Sequence, residues 1–188
     1  MHRREGIEDE FGAVLARVRA GEAAAFDRIY ATLAPAIAGL FRMQGASEPD
    51  DLTSEVFVGV LRNLARFAGD EEAFRSWVFT IAYRRLADER RRHARRPALV
   101  PLDGRTDIEA PVDVVGEVER NLATERVRSL CERLGPAQRD VLLLRLVGRM
   151  TVDEVARAID RSPTAVKALQ RRGLAAIVRL LEQEGVTL

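Results

Sequence analysis

A single stretch, from Phe74 to Pro97, most constrains what this chain can fold into. Its first half places Phe74, Val78 and Ile81 at helical spacing, which is typical of one face buried in a core. Its second half is the most basic run of the sequence and contains Arg84, Arg85, Arg90, Arg91, Arg92, Arg95 and Arg96. The pattern predicts a long helix with one end in a core and the other end offered to phosphates.

From the residues alone, two interpretations of this helix stay open. Arginines at a helix end complement the C-terminal dipole of a solvated helix. So many like charges within about four turns also repel one another, however, and a polyanion that neutralises them is the favoured interpretation. The aromatic stripe is typical of core packing. Trp77 and Tyr83 lie off that stripe, where aromatic faces could stack on unpaired bases.

Two amphipathic helices are predicted before this stretch. The first runs from Ile7 to Arg19 and is ended by Gly21. The second runs from Glu22 to Met43 and contains Pro35, which removes a backbone hydrogen bond and clashes with the preceding turn. We therefore expect a kink or a restart at that proline.

A third helix is predicted to run to about Leu64. Ser47 is its expected N-cap, with Pro49 in the first turn and Asp50 at the capping-box position. Its expected buried stripe is Phe57, Val60, Leu61 and Leu64. Another face carries the charges of Asp51, Glu55 and Arg62, which spacing alone interprets as a solvated surface. A short loop follows over residues 67–72.

Residues 97–121 break the helical pattern, because prolines, glycines and scattered acids replace any apolar period. This segment is predicted to be a flexible acidic linker between two helical domains, 1–96 and 122–188. A chain of 188 residues has room for two small cores. The predicted fold class is all-α.

The second half contains capping signals at fixed offsets. After a helix from about Leu122 to Leu134, Gly135 and Pro136 end one helix and start a leucine-rich one. Thr151 with Glu154 is a capping box that opens a short helix. Ser162 and Pro163 are an N-cap followed by proline at the first helical position. Two short helices joined by a tight turn, with the small Ala156 where they approach, predict a helix-turn-helix.

The second helix of that motif, Pro163 to Arg172, is the expected recognition helix. It is expected to bury Val166 and Leu169, with Leu174 and Ile177 beyond it. Outside the apolar stripe lie Thr164, Lys167, Ala168, Gln170, Arg171 and Arg172. Lys167 and Arg171 are one turn apart, so both could reach guanine edges or phosphates in a major groove. The alternative is a helical hairpin with a basic solvent face.

Several functional classes are not indicated. Cys131 cannot form an internal disulfide and is expected to be a small buried residue, and His2 and His93 have no zinc-site spacing. No metal or cofactor is expected. We expect no enzyme, because the sequence has no paired nucleophile and base and no phosphate-binding glycine loop. No apolar run reaches about 18 residues, so a cytoplasmic protein without membrane insertion is expected.

The residues also carry a family resemblance. EPDDLTSEVFVGVLRNL, followed by FRSWVFTIAYRRLADERRR, resembles region two of bacterial RNA polymerase sigma factors. LGPAQRDVLLLRLVGRMTVDEVARAIDRSPTAVKALQRRGLAAI resembles their region four. The absence of a recognisable acidic N-terminal region and of a folded region three resembles the extracytoplasmic-function type. The resemblance therefore implies a transcription initiation factor.

For region two, the resemblance implies two surfaces. The helix matching Asp50 to Asn63 would dock on the clamp helices of the polymerase beta-prime subunit through Asp50, Asp51, Ser54, Glu55 and Arg62. The loop matching Phe67 to Glu72 would pocket a base flipped out of the minus-ten element, and the helix after it would track the opened strand. The implied minus-ten contacts are Phe67, Trp77, Tyr83, Arg84, Arg85, Arg91 and Arg92.

For region four, the resemblance implies that the recognition helix reads the minus-thirty-five element and that the domain meets the polymerase beta flap. The implied contacts are Thr164, Lys167, Ala168, Arg171 and Arg172. An anti-sigma factor is an expected partner, which could silence the protein by folding the two domains back on each other so that both DNA surfaces are buried. Ser54 and Arg84 stand where the family often has glutamine and asparagine, so no promoter sequence is inferred. The alternative function is a dimeric helix-turn-helix regulator that binds duplex DNA by itself.

Overall fold

The structure is a computed structural model that describes residues 2–95 and 125–185, with side chains placed for 10–94 and 125–185. All regular elements in these two ranges are helices, as predicted. The predicted linker at 97–121, Arg96 and the side chain of Arg95 lie outside the described residues. The helices are α1 (His2–Arg19), α2 (Ala23–Met43), α3 (Pro49–Asn63), α4 (Glu71–Arg95), α5 (described over 125–132), α6 (Pro136–Leu146), α7 (Val152–Ala158) and α8 (Pro163–Gln183).

The first four helices form one bundle around α2. The apolar side of α2 faces the core, where Ile37 and Phe41 are fully buried, and α2 packs against α3 and α4. From α3 come Val56 and Val60, and from α4 comes Val78, all buried. Burial of such side chains contributes about 1.5–3 kcal/mol each. The exposed faces of α3 and α4 are therefore presented from opposite sides of helices that share this core.

The remaining helices form a smaller bundle in which α6 packs on α8 and α7. Val141, Leu144, Val155 and Val166 are its fully buried centre. Cys131 is buried, as predicted. Gly173 lets α8 approach α6 closely, since a Cβ at this position would lie 2.8 Å from Leu142 Cδ1.

The two bundles pack against each other along α4. Phe79 is fully buried, and its Cδ1 lies 3.1 Å from where a Cβ on Gly148 would stand. Arg75 donates to the carbonyl oxygens of Val147 and Gly148 at 2.7 and 3.1 Å. The buried residues of both bundles consequently form one continuous apolar cluster.

Some predictions about the first half were wrong. The helix α2 does not restart at Pro35 but continues through it, because Leu33, Ala34 and Ile37 on either side of the proline are buried in the core. The N-cap of α3 is Glu48, and it makes no side-chain capping bond. The hydroxyl of Ser47 instead donates to Glu89 at 3.0 Å.

Two apolar side chains are exposed where helical spacing predicted burial. Leu61 on α3 is 46% exposed, whereas its neighbour Val60 is buried. Leu174 on α8 is also exposed, although Val166 on the same helix is fully buried. Both lie at the edge of an apolar stripe, where the angular spacing of residues does not decide which side a neighbouring helix covers.

Candidate nucleic-acid interface

The loop between α3 and α4 is held by an aromatic cluster of Phe11, Phe67, Phe74 and Trp77. The Phe67 ring stacks on Trp77 with centroids 5.1 Å apart and meets Phe74 edge-on at 5.2 Å. Phe74 also contacts Phe11, at 5.4 Å. Phe74 is buried, while Phe67 and Trp77 are partly exposed. The partly exposed pair presents aromatic surface at the start of α4, where an unstacked base could pack.

The backbone of the same loop is fixed at both ends. Arg19 on α1 donates to the carbonyl oxygen of Phe67 at 2.5 Å. At the start of α4, the Asp70 carboxylate accepts a hydrogen bond from the backbone N–H of Ala73 at 2.8 Å, as a helix cap does. Gly69 adopts a φ of +151°, which is unfavourable for residues with a Cβ. The loop therefore has a defined shape before any ligand binds.

The basic half of α4 is largely open to solvent. Arg84 and Arg92 are exposed and make no described ion pair, whereas Arg91 pairs with Asp88. Arg85 lies 3.8 Å from Glu55 of α3, which links the two predicted surfaces of the first bundle. Exposed pairs of this kind contribute little to stability, so the guanidinium groups can exchange their partners for phosphates.

Tyr83, also predicted to contact DNA, is turned toward the second bundle. Its hydroxyl donates to Asp140 Oδ2 of α6 at 3.2 Å. Arg90 reaches both oxygens of the same carboxylate, at 3.1 and 3.3 Å, and Gln44 Nε2 donates to Oδ1 at 2.9 Å. Arg90 also donates to Gln44 Oε1, which closes the network. We name these four residues, Gln44, Tyr83, Arg90 and Asp140, the Asp140 cluster.

The electrostatics of Tyr83 reflect this position. Burial raises the pKa of Tyr83 to about 12, and the negative charge of Asp140 and the hydrogen bond to it act in the same direction. The phenol is therefore neutral and a hydrogen-bond donor at physiological pH. Sequence reasoning missed Asp140 and Gln44, because a single acid and a single amide within helical patterns carry no local signal for a contact between bundles.

The outer face of α3 combines charged and apolar side chains. Asp51, Glu55, Val58 and Arg62 recur at helical spacing and are all exposed. Val58 is 45% exposed, and Leu61 lies beside it. Asp50 pairs with Arg42 at 2.9 Å, and the exposed Ser54 donates to the Asp50 carbonyl at 3.1 Å. Exposed apolar residues within a charged face are typical of a protein interface. Val58 and Leu61 were not predicted as part of it.

The helix-turn-helix has the predicted capping geometry. The Thr151 hydroxyl accepts from the Glu154 N–H at 3.3 Å, and Glu154 accepts from the Thr151 N–H at 2.6 Å. The Ser162 hydroxyl accepts from Ala165 N–H at 3.2 Å. Between them, Asp160 takes a φ of +52°, a conformation that a short polar side chain tolerates. The turn therefore fixes the angle at which α8 leaves α7.

The predicted recognition face of α8 is accessible in this structure. Thr164, Lys167, Arg171 and Arg172 are exposed, and Ala168 is partly exposed. Gln170, by contrast, accepts a hydrogen bond from Arg145 of α6 at 3.3 Å, so it braces α8 against its own bundle. The helix extends to Gln183, well beyond the predicted recognition segment.

Two features are absent from the part of the chain that the structure describes. In 2–95 and 125–185, no group of three or more His, Cys, Asp or Glu side chains is arranged to hold a metal ion. None of the helices described there is both long and apolar enough to cross a membrane.

Two family models match separate parts of this chain. The family model described as sigma-70 region 2 matches residues 29–96, and the model described as sigma-70 region 4 matches residues 124–177. The ECF RNA polymerase sigma factor ShbA of Streptomyces griseus subsp. griseus is 33% identical over 71% of this chain and 72% of its own length. The ECF RNA polymerase sigma factor BldN of Streptomyces coelicolor is 29% identical over 97% of this chain and 71% of its own length.

A solved structure has the same fold. The structure of CnrH in complex with the cytosolic domain of CnrY matches with a TM-score of 0.64 and 25% sequence identity. The match covers 91% of this chain and 96% of CnrH.

Proposed function

Because this chain belongs to the sigma-70 family of RNA polymerase sigma factors, in its extracytoplasmic-function group, we propose that it binds core RNA polymerase and directs it to promoters. The proposed domains are region two at 1–96 and region four at 122–188, joined by a linker at 97–121. The proposed site of action is the cytoplasm, where polymerase works. The observation that carries the proposal is the exposed mixed face of α3.

Docking to polymerase is assigned to that α3 face. Asp51, Glu55 and Arg62 give it charge complementarity, which sets the orientation of a partner and the rate of encounter. Val58 and Leu61 supply apolar area that is left uncovered within the chain. The proposed partner surface is the pair of clamp helices of the beta-prime subunit, with the beta flap as a second contact for region four.

Promoter recognition is divided between the two bundles. Region two is proposed to capture unpaired bases of the minus-ten element at Phe67 and Trp77, and to hold the strand phosphates with Arg84, Arg85, Arg91 and Arg92. Region four is proposed to read the minus-thirty-five element with Thr164, Lys167, Ala168, Arg171 and Arg172. The covalent connection makes the second contact intramolecular, so two weak contacts act together.

An anti-sigma protein is a proposed regulator. CnrH, which has the same fold, is known in complex with the cytosolic domain of CnrY. A comparable partner for this chain would compete with polymerase for region two or region four.

The first test is binding to core RNA polymerase with charge reversals on α3. Asp51→Arg and Glu55→Arg should together weaken binding at least tenfold, because they replace attraction with repulsion at the docking face. Fluorescence anisotropy of labelled protein against core polymerase measures this, and run-off transcription measures the outcome.

The matched control reverses two acids elsewhere, Asp27→Arg and Asp153→Arg, which are exposed on α2 and α7. These variants should bind polymerase like the wild type. Absence of polymerase binding by the wild type, together with a dimer that shifts duplex DNA alone, would contradict the proposal and favour a stand-alone regulator.

A second test concerns the basic half of α4. Arg91→Ala with Arg92→Ala removes two candidate phosphate contacts. The slope of log K against log salt for single-stranded DNA should become shallower by about 1.4, since each lost contact contributes about 0.7. Removing Arg17 and Arg28 instead, which pair with Glu22 and Glu10, changes the net charge equally and should leave the slope unchanged. Equal slopes for all variants would exclude Arg91 and Arg92 as phosphate contacts.

A further inference from the structure

The Asp140 cluster joins the two bundles. Asp140 belongs to the second bundle, but its described partners all lie in the first. The described hydrogen bonds of the Asp140 carboxylate come from Gln44, Tyr83 and Arg90, all of which belong to the first bundle. Asp140 is 7% exposed in this arrangement. A buried carboxylate is stable only when it is paired and hydrogen-bonded. When the bundles separate, Asp140 must therefore return to water.

A second polar contact between the bundles is made by Arg75, about four helical turns before Arg90 on α4. Arg75 donates to the carbonyl oxygens of Val147 and Gly148, which directly follow α6. Asp140, near the start of α6, pairs with Arg90 in the second half of α4. The early part of α4 therefore faces the end of α6, and the late part of α4 faces the start of α6. Arg75, Phe79, Tyr83 and Arg90 recur at helical spacing, so one face of α4 is turned toward region four.

That face overlaps the proposed strand-binding surface. The family resemblance implies that Tyr83 is a minus-ten contact, and Arg90 belongs to the same basic run of α4. The Asp140 carboxylate gives Arg90 and Tyr83 the anionic acceptor that a DNA phosphate would give them. By contrast, the outer face of α8 and the charged face of α3 remain exposed. Only one of the DNA surfaces is engaged in the closed arrangement, whereas the sequence suggested that both could be.

We infer that the Asp140 cluster is an autoinhibitory contact within the chain, which withholds Tyr83 and Arg90 from single-stranded DNA until the two bundles separate. It requires no second protein. Duplex binding by α8 and polymerase docking by α3 do not require it to open. The inference rests on the proposed function, because it assigns regulation to the proposed strand-binding surface.

The test uses the full-length chain with Asp140→Asn and, separately, Gln44→Ala. The first removes the charge that holds Arg90, and the second weakens the network from the other bundle without changing any charge. Both variants should increase the radius of gyration measured by small-angle X-ray scattering. Affinity for a labelled mixed-sequence single strand should rise, by about tenfold for Asp140→Asn, because the open form becomes the major population. Affinity for a random-sequence duplex should not change.

The control is Asp153→Asn, which removes one exposed acid from the same bundle and should leave both the dimensions and the single-strand affinity as in the wild type. Circular dichroism verifies that each variant keeps its helical content. Unchanged dimensions, or expansion without a gain in single-strand affinity, would overturn the inference. Failure of the proposed function would appear separately, as absence of polymerase binding by the wild type.

Discussion

Truncation of Phe74 to alanine should lower the free energy of unfolding by about 3–5 kcal/mol. Its ring is 1% exposed and contacts Phe11, Phe67 and Trp77 with centroids 5.2 to 5.6 Å away. Removing it leaves a cavity in the cluster and takes the edge-on contact from Phe67. Urea unfolding followed by circular dichroism measures the loss.

The fluorescence of Trp77, the only tryptophan of the chain, reports the local effect. Its emission should shift to longer wavelength in native Phe74→Ala, because the indole gains contact with water. Leu174→Ala is the control, since that side chain is 44% exposed and its loss should cost about 0.5 kcal/mol or less. A loss below about 1 kcal/mol for Phe74→Ala would show that the ring does not hold the loop.

Substitution of Gly148 by alanine should lower the free energy of unfolding by about 1–3 kcal/mol. A Cβ at this position would lie 2.5 Å from the carbonyl oxygen of Leu144 and 3.1 Å from the Phe79 ring. That carbonyl already accepts the N–H of Met150 at 3.2 Å, so it cannot move without breaking the turn. A single methyl group therefore strains both the end of α6 and its contact with α4.

The same substitution at Gly12 is a control with the opposite expected sign. Gly12 is exposed within α1, and a Cβ there meets no atom within 4 Å. Alanine should raise stability there by about 0.5–1 kcal/mol through its higher helix propensity. Thermal unfolding of the two variants compares them directly. Similar effects at both positions would contradict the close packing around Gly148.

Features of the fold that depend on neighbours in the chain were predictable. The Thr151 and Glu154 capping box and the Ser162 cap were read from residues three positions apart, and both were confirmed. The continuous α4 followed from its apolar spacing and the absence of an internal proline or glycine. These signals are local, so a single sequence contains all that is needed to interpret them.

Features that depend on distant partners were not predictable. Ser47 has the chemistry of an N-cap, but its hydroxyl binds Glu89, 42 positions later, and α3 begins without a side-chain cap. Asp140 is separated by 50 or more positions from each of its partners, Gln44, Tyr83 and Arg90. The sequence therefore predicted which residues belong to the candidate site. Only the structure showed that the second bundle covers part of it, at Tyr83 and Arg90.

Because α4 is one uninterrupted helix, the distance between its aromatic start and its basic end is fixed. At 1.5 Å per residue, Trp77 and Arg92 are separated by about 22 Å along the helix axis. Successive phosphates along one strand of B-form DNA are offset by about 3.4 Å along the duplex axis. Since no hinge lies between the aromatic cluster and the arginines, a base seated beside Phe67 would determine which phosphates, several nucleotides away, stand opposite Arg91 and Arg92. On the proposed function, the size of the opened DNA segment that this protein contacts is set by the length of one helix.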